Sequence, residues 1–302
     1  MNMFSSRVFW ALVPKFIRKG IFRKKLPVNI VDYYESQPKP LSAEIRSVLD
    51  YLKTNPLAIF PYPFQHRYSE SDIEVYDDEE KSLRYVFLDG KRLYFKRKWS
   101  KKEIKRRFNW LLIEQDTHSP HRYLTDRFRF EDGEVLIDVG AAEGNFALSL
   151  AEKASRIIIF ETNKEWIEPL QATFEPWKDK VQIVKKFVSD YTSSSHTTLD
   201  DFFTHDEPRA LFLKIDVEGA ETKLLKGSEK LLSRKDPLKL AICTYHKQDD
   251  EKHFTTFLRK RDFDTHCSDG YMIFYLDKTI KAPYLRRGLV RAEKNKSKTV
   301  VG

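Results

Sequence analysis

The sequence predicts an α/β protein whose second part is a Rossmann-like, mainly parallel sheet and whose first part is a smaller α+β segment. Three observations carry this. Val135, Leu136 and Ile137 run into Asp138-Val139-Gly140-Ala141-Ala142-Glu143-Gly144, after which Phe146, Leu148, Leu150 and Ala151 recur at helical spacing, the order of a strand, a glycine turn and a helix. Beyond Gly144, apolar runs alternate with helix-period segments. One run, RIIIF at 156–160, is continuously apolar after Arg156, as in a parallel strand covered on both faces.

The 302 residues suffice for one large domain or two modest ones. Lys+Arg 54 against Asp+Glu 45 leaves +9, a balance compatible with nucleic acid, anionic lipid, acidic glycan or simple solubility. Only two cysteines, Cys243 and Cys267, are present, which excludes a disulfide scaffold and points to a reduced, cytoplasmic setting. No apolar run approaches the roughly 20 residues of a membrane span.

Residues 1–25 form a basic amphipathic segment. Phe9, Leu12, Val13, Phe16, Ile17 and Ile21 alternate with Lys15, Arg18, Lys19, Arg23, Lys24 and Lys25, a pattern suited to peripheral contact with the inner face of a membrane. Pro14 and Gly20 weaken it as a helix, and packing on the protein explains it as well. No small-residue cleavage site follows, so a signal peptide is not expected.

Residues 26–130 read as an α+β accessory region. Pro27, Pro38 and Pro40 mark an irregular entry, residues 41–52 are an amphipathic helix, and residues 73–76, 83–88 and 93–95 are short strands. Asp89-Gly90 joins the last two as a hairpin. From 91 to 107, ten of seventeen residues are basic, with Tyr94, Phe95 and Trp99 between them, a composition that can serve nucleic acid. A helix capped by Ser100 and Glu103, with Ile104, Phe108, Leu111 and Leu112 facing inward, accounts for the same run as a solvated face, and nucleic acid is not the favoured partner. The polar loop 114–123, with His118 and His121, is a candidate substrate-facing segment.

Residues 131–285 form the α/β domain. Strands are expected at 156–160, 181–184, 211–215 and 238–243, with helices at 166–174, 219–232 and 249–260. Residues 263–266 and 271–276 are expected to pair as a hairpin across Ser268-Asp269-Gly270, and 286–302 to be a basic tail.

Such sheets bind ligands beyond the carboxyl ends of their strands, which here are marked by Asp138, Glu161, Asp190, Asp216 and His246. Glu161 follows Gly140 by 21 residues, the spacing at which a carboxylate takes both hydroxyls of a ribose. The turn is Gly140-x-x-x-Gly144 and lacks the dinucleotide G-x-G-x-x-G. An acid two residues before the first glycine, Asp138, can brace the turn or orient water near a bound amino-acid moiety.

Asp138-Val139-Gly140-Ala141 with Gly144, Glu161 after Phe160, Ser189-Asp190, Thr198-Leu199-Asp200 and the KIDVEGAE run from Lys214 to Glu221 together resemble the FkbM family of S-adenosylmethionine-dependent methyltransferases. The resemblance spans residues 114–276 and departs from the family at Ala142-Glu143. It implies a class I methyltransferase fold and methyl transfer to a hydroxyl of a saccharide, glycolipid or secondary metabolite. Asp138, Gly140, Ala141, Gly144, Asn145, Glu161, Ser189 and Asp190 would meet S-adenosylmethionine. On the acceptor side, His246 is the expected base and Asp216 orients it or the hydroxyl, with His118, His121 and Tyr245 near the substrate. A divalent ion such as Mg²⁺, held by Asp216, His246 and the acids at 249–251 to acidify the acceptor, is possible but not favoured, because these residues match no compact metal loop, and no metal ligand is assigned. Glu218 and Glu221 read as helix-start carboxylates.

Overall fold

The computed structural model describes residues 15–203 and 210–294. Most of the amphipathic segment expected at 1–25 lies outside these residues. What is described begins with α1 (Lys15–Glu35), which runs through Gly20 and accommodates Pro27, the expected irregular entry. Tertiary packing overrides the proline penalty: Leu26, Ile30 and Tyr34 are buried against α2 (Ala43–Thr54) and against Ile273 and Leu285, and the Tyr34 hydroxyl donates to Pro283 O at 2.7 Å. Among the described residues, no helix is long and apolar enough to cross a membrane.

Strands β1 (Tyr76–Asp78), β2 (Leu83–Leu88) and β3 (Lys91–Phe95) form an antiparallel sheet. The β2–β3 turn is the expected Asp89-Gly90, with φ +48° and +75°, both left-handed as a two-residue hairpin requires. The first strand starts later than expected because Glu70–Asp72 closes a 3₁₀ turn capped by Ser69. Next comes α3 (Lys101–Glu114), with the Ser100–Glu103 capping box in place.

The larger sheet uses β4 (Val135–Val139), β5 (Arg156–Phe160), β6 (Val181–Val184), β9 (Leu211–Ile215), β10 (Leu238–Cys243), β11 (Asp264–Cys267) and β12 (Leu289–Lys294). Between them run α4 (Asn145–Ser149), α5 (Lys164–Thr173), the two-residue strands β7 (Phe187–Val188) and β8 (His196–Thr197), α6 (Leu199–Phe202), α7 (Glu221–Lys226), α8 (Glu229–Ser233) and α9 (Asp250–Arg259). Its order is β11-β12-β10-β9-β4-β5-β6, with every neighbour from β10 to β6 parallel and β12 antiparallel to both of its own. Every residue of β4 and β9 is buried, so apart from Asp138 and Lys214, which pair with each other, these strands are apolar throughout. The result is a Rossmann-like, largely parallel seven-stranded sheet with an N-terminal α+β extension.

Two expectations are corrected. The single helix over 219–232 is two, α7 and α8, divided at Gly227, whose backbone packs so tightly that a Cβ would lie 1.9 Å from Ser189 O. The partner of β11 is β12, from the stretch read as a basic tail. That strand hid its signal because Arg291 is buried in it, with its guanidinium donating to Tyr123 O at 3.0 Å and Arg122 O at 2.6 Å. Residues 271–276 instead fold back onto the N-terminal extension, where Ile273 N donates to Ile59 O at 2.9 Å.

Candidate active site

The sheet changes direction between β4 and β9: later strands add to β5 and β6 on one side and to β10 on the other. A crevice opens at such a switch point, beyond the carboxyl ends. Its floor is drawn tight by one glycine. Gly140 has φ +79°, and a Cβ there would lie 1.9 Å from the backbone oxygen of Asp216. Beneath it, Lys214 Nζ donates to Gly140 O at 2.6 Å and stands 3.0 Å from Asp138 Oδ1. Burial alone would push the Lys214 ammonium down; the Asp138 and Asp216 carboxylates outweigh it and hold it above its ordinary range. Asp138 is 1% exposed and so acts on the turn through Lys214 rather than by facing the crevice.

The rest of the turn is similarly braced. Ala141 is buried, and Ala142, at φ +47°, donates its N–H to Glu161 Oε2 at 2.9 Å while Asn163 N donates to Oε1 at 2.6 Å. Glu161 therefore fixes the end of β5 to the turn, with further lone pairs on both oxygens. Gly144 is glycine for packing: a Cβ would lie 2.7 Å from Leu170 and 3.0 Å from Phe174 of the α5 layer. Asn145 opens the short α4 and is half-buried, Ser189 is buried, and Asp190 beside it is exposed.

On the other side, Asp216 gathers a polar cluster. The Tyr123 hydroxyl donates to its Oδ2 and the Tyr245 hydroxyl to its Oδ1, each at 3.3 Å. His246 Nε2 lies 3.6 Å from Oδ1 and His121 Nε2 lies 3.8 Å from Oδ2. Burial would raise the Asp216 pKa, but Lys214 and the two histidines outweigh it and keep the carboxyl below its ordinary range. His121, buried among Phe60, Tyr123 and Tyr245, is pushed down to about 4 by burial, so it is neutral. His246 goes the other way: burial is outweighed by Glu221 and Asp216, which raise its pKa.

Asp216, Tyr245 and His246 open onto a cleft of about 1390 Å³, roofed by α3 and by residues 272–279, while His121 and Tyr123 lie buried behind them and do not line it. Sequence reasoning missed what α3 brings to it. Glu114, at the end of that helix, accepts from the Trp110 indole and lines the cleft, and burial pushes its carboxyl up to about 7 with Asp216 and Glu143 adding and Arg107 opposing. Arg107 forms a two-pronged pair with Glu143 of the glycine turn, Nε to Oε1 at 2.6 Å and Nη2 to Oε2 at 3.0 Å. Glu143 was visible only as a departure from the family pattern; that departure is the socket for α3. Glu221, read as a helix-start acid, is wholly buried against His246.

One expected residue is not brought in. His118 points outward, pairing with Asp116 at 3.2 Å and stacking on Phe64, in a separate hollow. The turn at Ser119-Pro120 sends His118 and His121 to opposite sides of the loop. For metals, two groups of three among the described residues bring ligand-type atoms together: His121, Asp216 and Cys243, and Asp216, Glu221 and His246.

Residues 145–265 match the family model of the methyltransferase FkbM domain. The matched stretch covers the strand ends that hold Glu161, Asp190, Asp216 and His246. Among solved structures, the chain is similar to the methyltransferase FkbM of Methylobacillus flagellatus KT, at 21% identity over 64% of this chain and 54% of that one, with a TM-score of 0.42. It thus spans about half of that protein's length. It is also similar to SMU.1697c of Streptococcus mutans in complex with SAH (18% identity, 55% and 90% coverage, TM-score 0.37) and to precorrin-6y C5,15-methyltransferase of Geobacter metallireducens GS-15 (16%, 55% and 80%, TM-score 0.35). No curated protein matches the chain significantly.

Proposed function

We propose that the protein methylates a hydroxyl oxygen of a saccharide, glycolipid or secondary metabolite, using S-adenosylmethionine. The observation that carries this is the convergence of Asp216, Tyr245 and His246 on one cleft directly beside the Gly140 turn. The donor set fits the cofactor: Glu161 ends β5 with free lone pairs for a ribose, Asp190 is exposed just after β7, and Ala142 lines the cleft. S-adenosylmethionine, when bound, supplies a methyl carbon already activated by its sulfonium.

The chain must then hold an acceptor oxygen in line and accept its proton. Asp216 is kept ionised and can accept a hydrogen bond from the acceptor hydroxyl. The neutral form of His246 takes the proton, leaving an imidazolium flanked by two carboxylates. Trp99, Trp110, Phe274 and Tyr275 line the same cleft and offer flat apolar faces on which sugar rings pack. Five members of the basic run at 91–107 face carboxylates, with Arg92 near Asp78, Lys96 near Glu165, Arg97 near Glu168, Lys101 near Asp77 and Arg107 near Glu143, which favours the structural reading of that run over a nucleic-acid groove.

A cytoplasmic protein apposed to the inner face of a membrane suits a lipid-linked acceptor. In support, Arg23 of α1 lies 5.5 Å from the ring of Tyr275, at the cleft, with Lys24 exposed beside it. Flotation with anionic liposomes, with and without residues 1–25, tests the apposition. For the reaction itself, calorimetry should show binding of S-adenosylmethionine, and labelled cofactor should mark a glycan or lipid-linked glycan in a panel. Absence of binding at millimolar cofactor refutes the reading.

A further inference from the structure

We propose that Glu221 is a positioning residue that sets the tautomer and orientation of His246, holding Nδ1–H so that Nε2 faces the acceptor. This rests on the methyl-transfer reading, with His246 as base. The geometry is that of a carboxylate seated behind an imidazole. Glu221 Oε1 is 2.9 Å from His246 Nδ1, while the opposite ring nitrogen, Nε2, is 3.6 Å from Asp216 Oδ1 and opens on the cleft. Apart from this contact, neither Nδ1 nor Glu221 Oε2 has a hydrogen-bond partner, although both atoms are buried. A carboxylate wholly removed from water and short of donors is costly unless a neighbouring charge compensates it, and the imidazole is that neighbour.

The competing account is that Glu221 only secures its own loop. Its Oε1 accepts from Val217 N at 3.1 Å and Gly219 N at 3.3 Å, and the loop carries two left-handed residues, Glu218 at φ +50° and Gly219 at +97°. The two accounts separate on charge. Glutamine keeps an oxygen for both backbone donors and removes the negative charge from behind Nδ1. Other groups around His246 stay in place: Asp216 on β9, Asp250 on α9, Tyr245 and Lys247 beside it in the chain, Phe274 against its ring, and Arg286, which donates to the His246 carbonyl at 2.9 Å.

Nitrogen-detected NMR of ¹⁵N-histidine in the full chain reads both properties, with His246→Asn assigning the signal. The neutral wild-type ring is expected mainly in the Nδ1–H form. In Glu221→Gln its titration should move down by about one to two pH units, with Glu221→Asp recovering part of the shift. Unfolding midpoint and calorimetric affinity for S-adenosylmethionine should stay near wild type in Glu221→Gln. A mainly Nε2–H ring in the wild type, or a titration that Glu221→Gln leaves unmoved, overturns the assignment. Failure of the wild type to bind S-adenosylmethionine would instead overturn the methyl-transfer reading, because the NMR measurement needs no cofactor.

Discussion

Replacing Gly140 by alanine tests how the crevice is built. The new Cβ would stand 1.9 Å from Asp216 O and 3.0 Å from its carbonyl carbon. Backbone oxygen cannot rotate away as a side chain can, so the ends of β4 and β9 must part by about 1 Å, an overpacking that typically costs about 1–3 kcal/mol. Alanine at the φ of +79° adds about 1–2 kcal/mol of left-handed strain. Gly133→Ala supplies the control, since φ is +87° there with nothing within 4 Å of the added methyl. It should show the strain alone. Urea unfolding followed by tryptophan fluorescence should therefore place Gly140→Ala about 1–3 kcal/mol below Gly133→Ala, and calorimetry should find cofactor binding lost only in the former. Equal destabilisation, within about 1 kcal/mol, together with retained binding would refute the steric argument.

Two further outcomes follow from the cleft. Arg107→Ala leaves the Glu143 carboxylate, 3% exposed, buried without its cation, and should cost about 3–5 kcal/mol in urea unfolding; adding Glu143→Gln should restore part of this, and a purely additive double mutant would count against the pairing. Glu114, its pKa raised from 4.5 to about 7 by burial, binds a proton more tightly folded than unfolded, so its ionisation lowers stability as pH rises from about 4.5 to about 7 and the loss is complete above that. Glu114→Gln should remove this decline, and a variant whose unfolding free energy falls as steeply as wild type between pH 5 and pH 8 would exclude Glu114 as its source.

The central strands were readable because burial on both faces removes any alternation, leaving runs such as Ile157–Phe160 in β5 and Leu211–Leu213 in β9. β12 was not, since a buried arginine satisfied by two carbonyls reads as a charged tail until its partners are known. The site divides along the same line. Asp216 and His246 end strands and could be placed by strand position alone, whereas Glu114, Arg107 and Glu143 meet only because α3 docks on the glycine turn, a contact between segments about 36 residues apart that no local pattern encodes. His118 and His121 looked equivalent in sequence, and the proline turn between them decided which one faces inward.

The place of β12 in the sheet has a consequence for how the protein comes into being. As the chain leaves the ribosome, β4, β5, β6, β9 and β10 can assemble a five-stranded parallel sheet, but β11 pairs with β12 alone and the outer edge of β10 stays open until residues 289–294 emerge. Arg291 arrives with that strand and grips the carbonyls of Arg122 and Tyr123, the loop that presents Tyr123 to Asp216. This topology lets the glycine-turn half of the sheet form before the Tyr123 loop is latched, with β12 closing the edge of β10 and fixing that loop in a single late step.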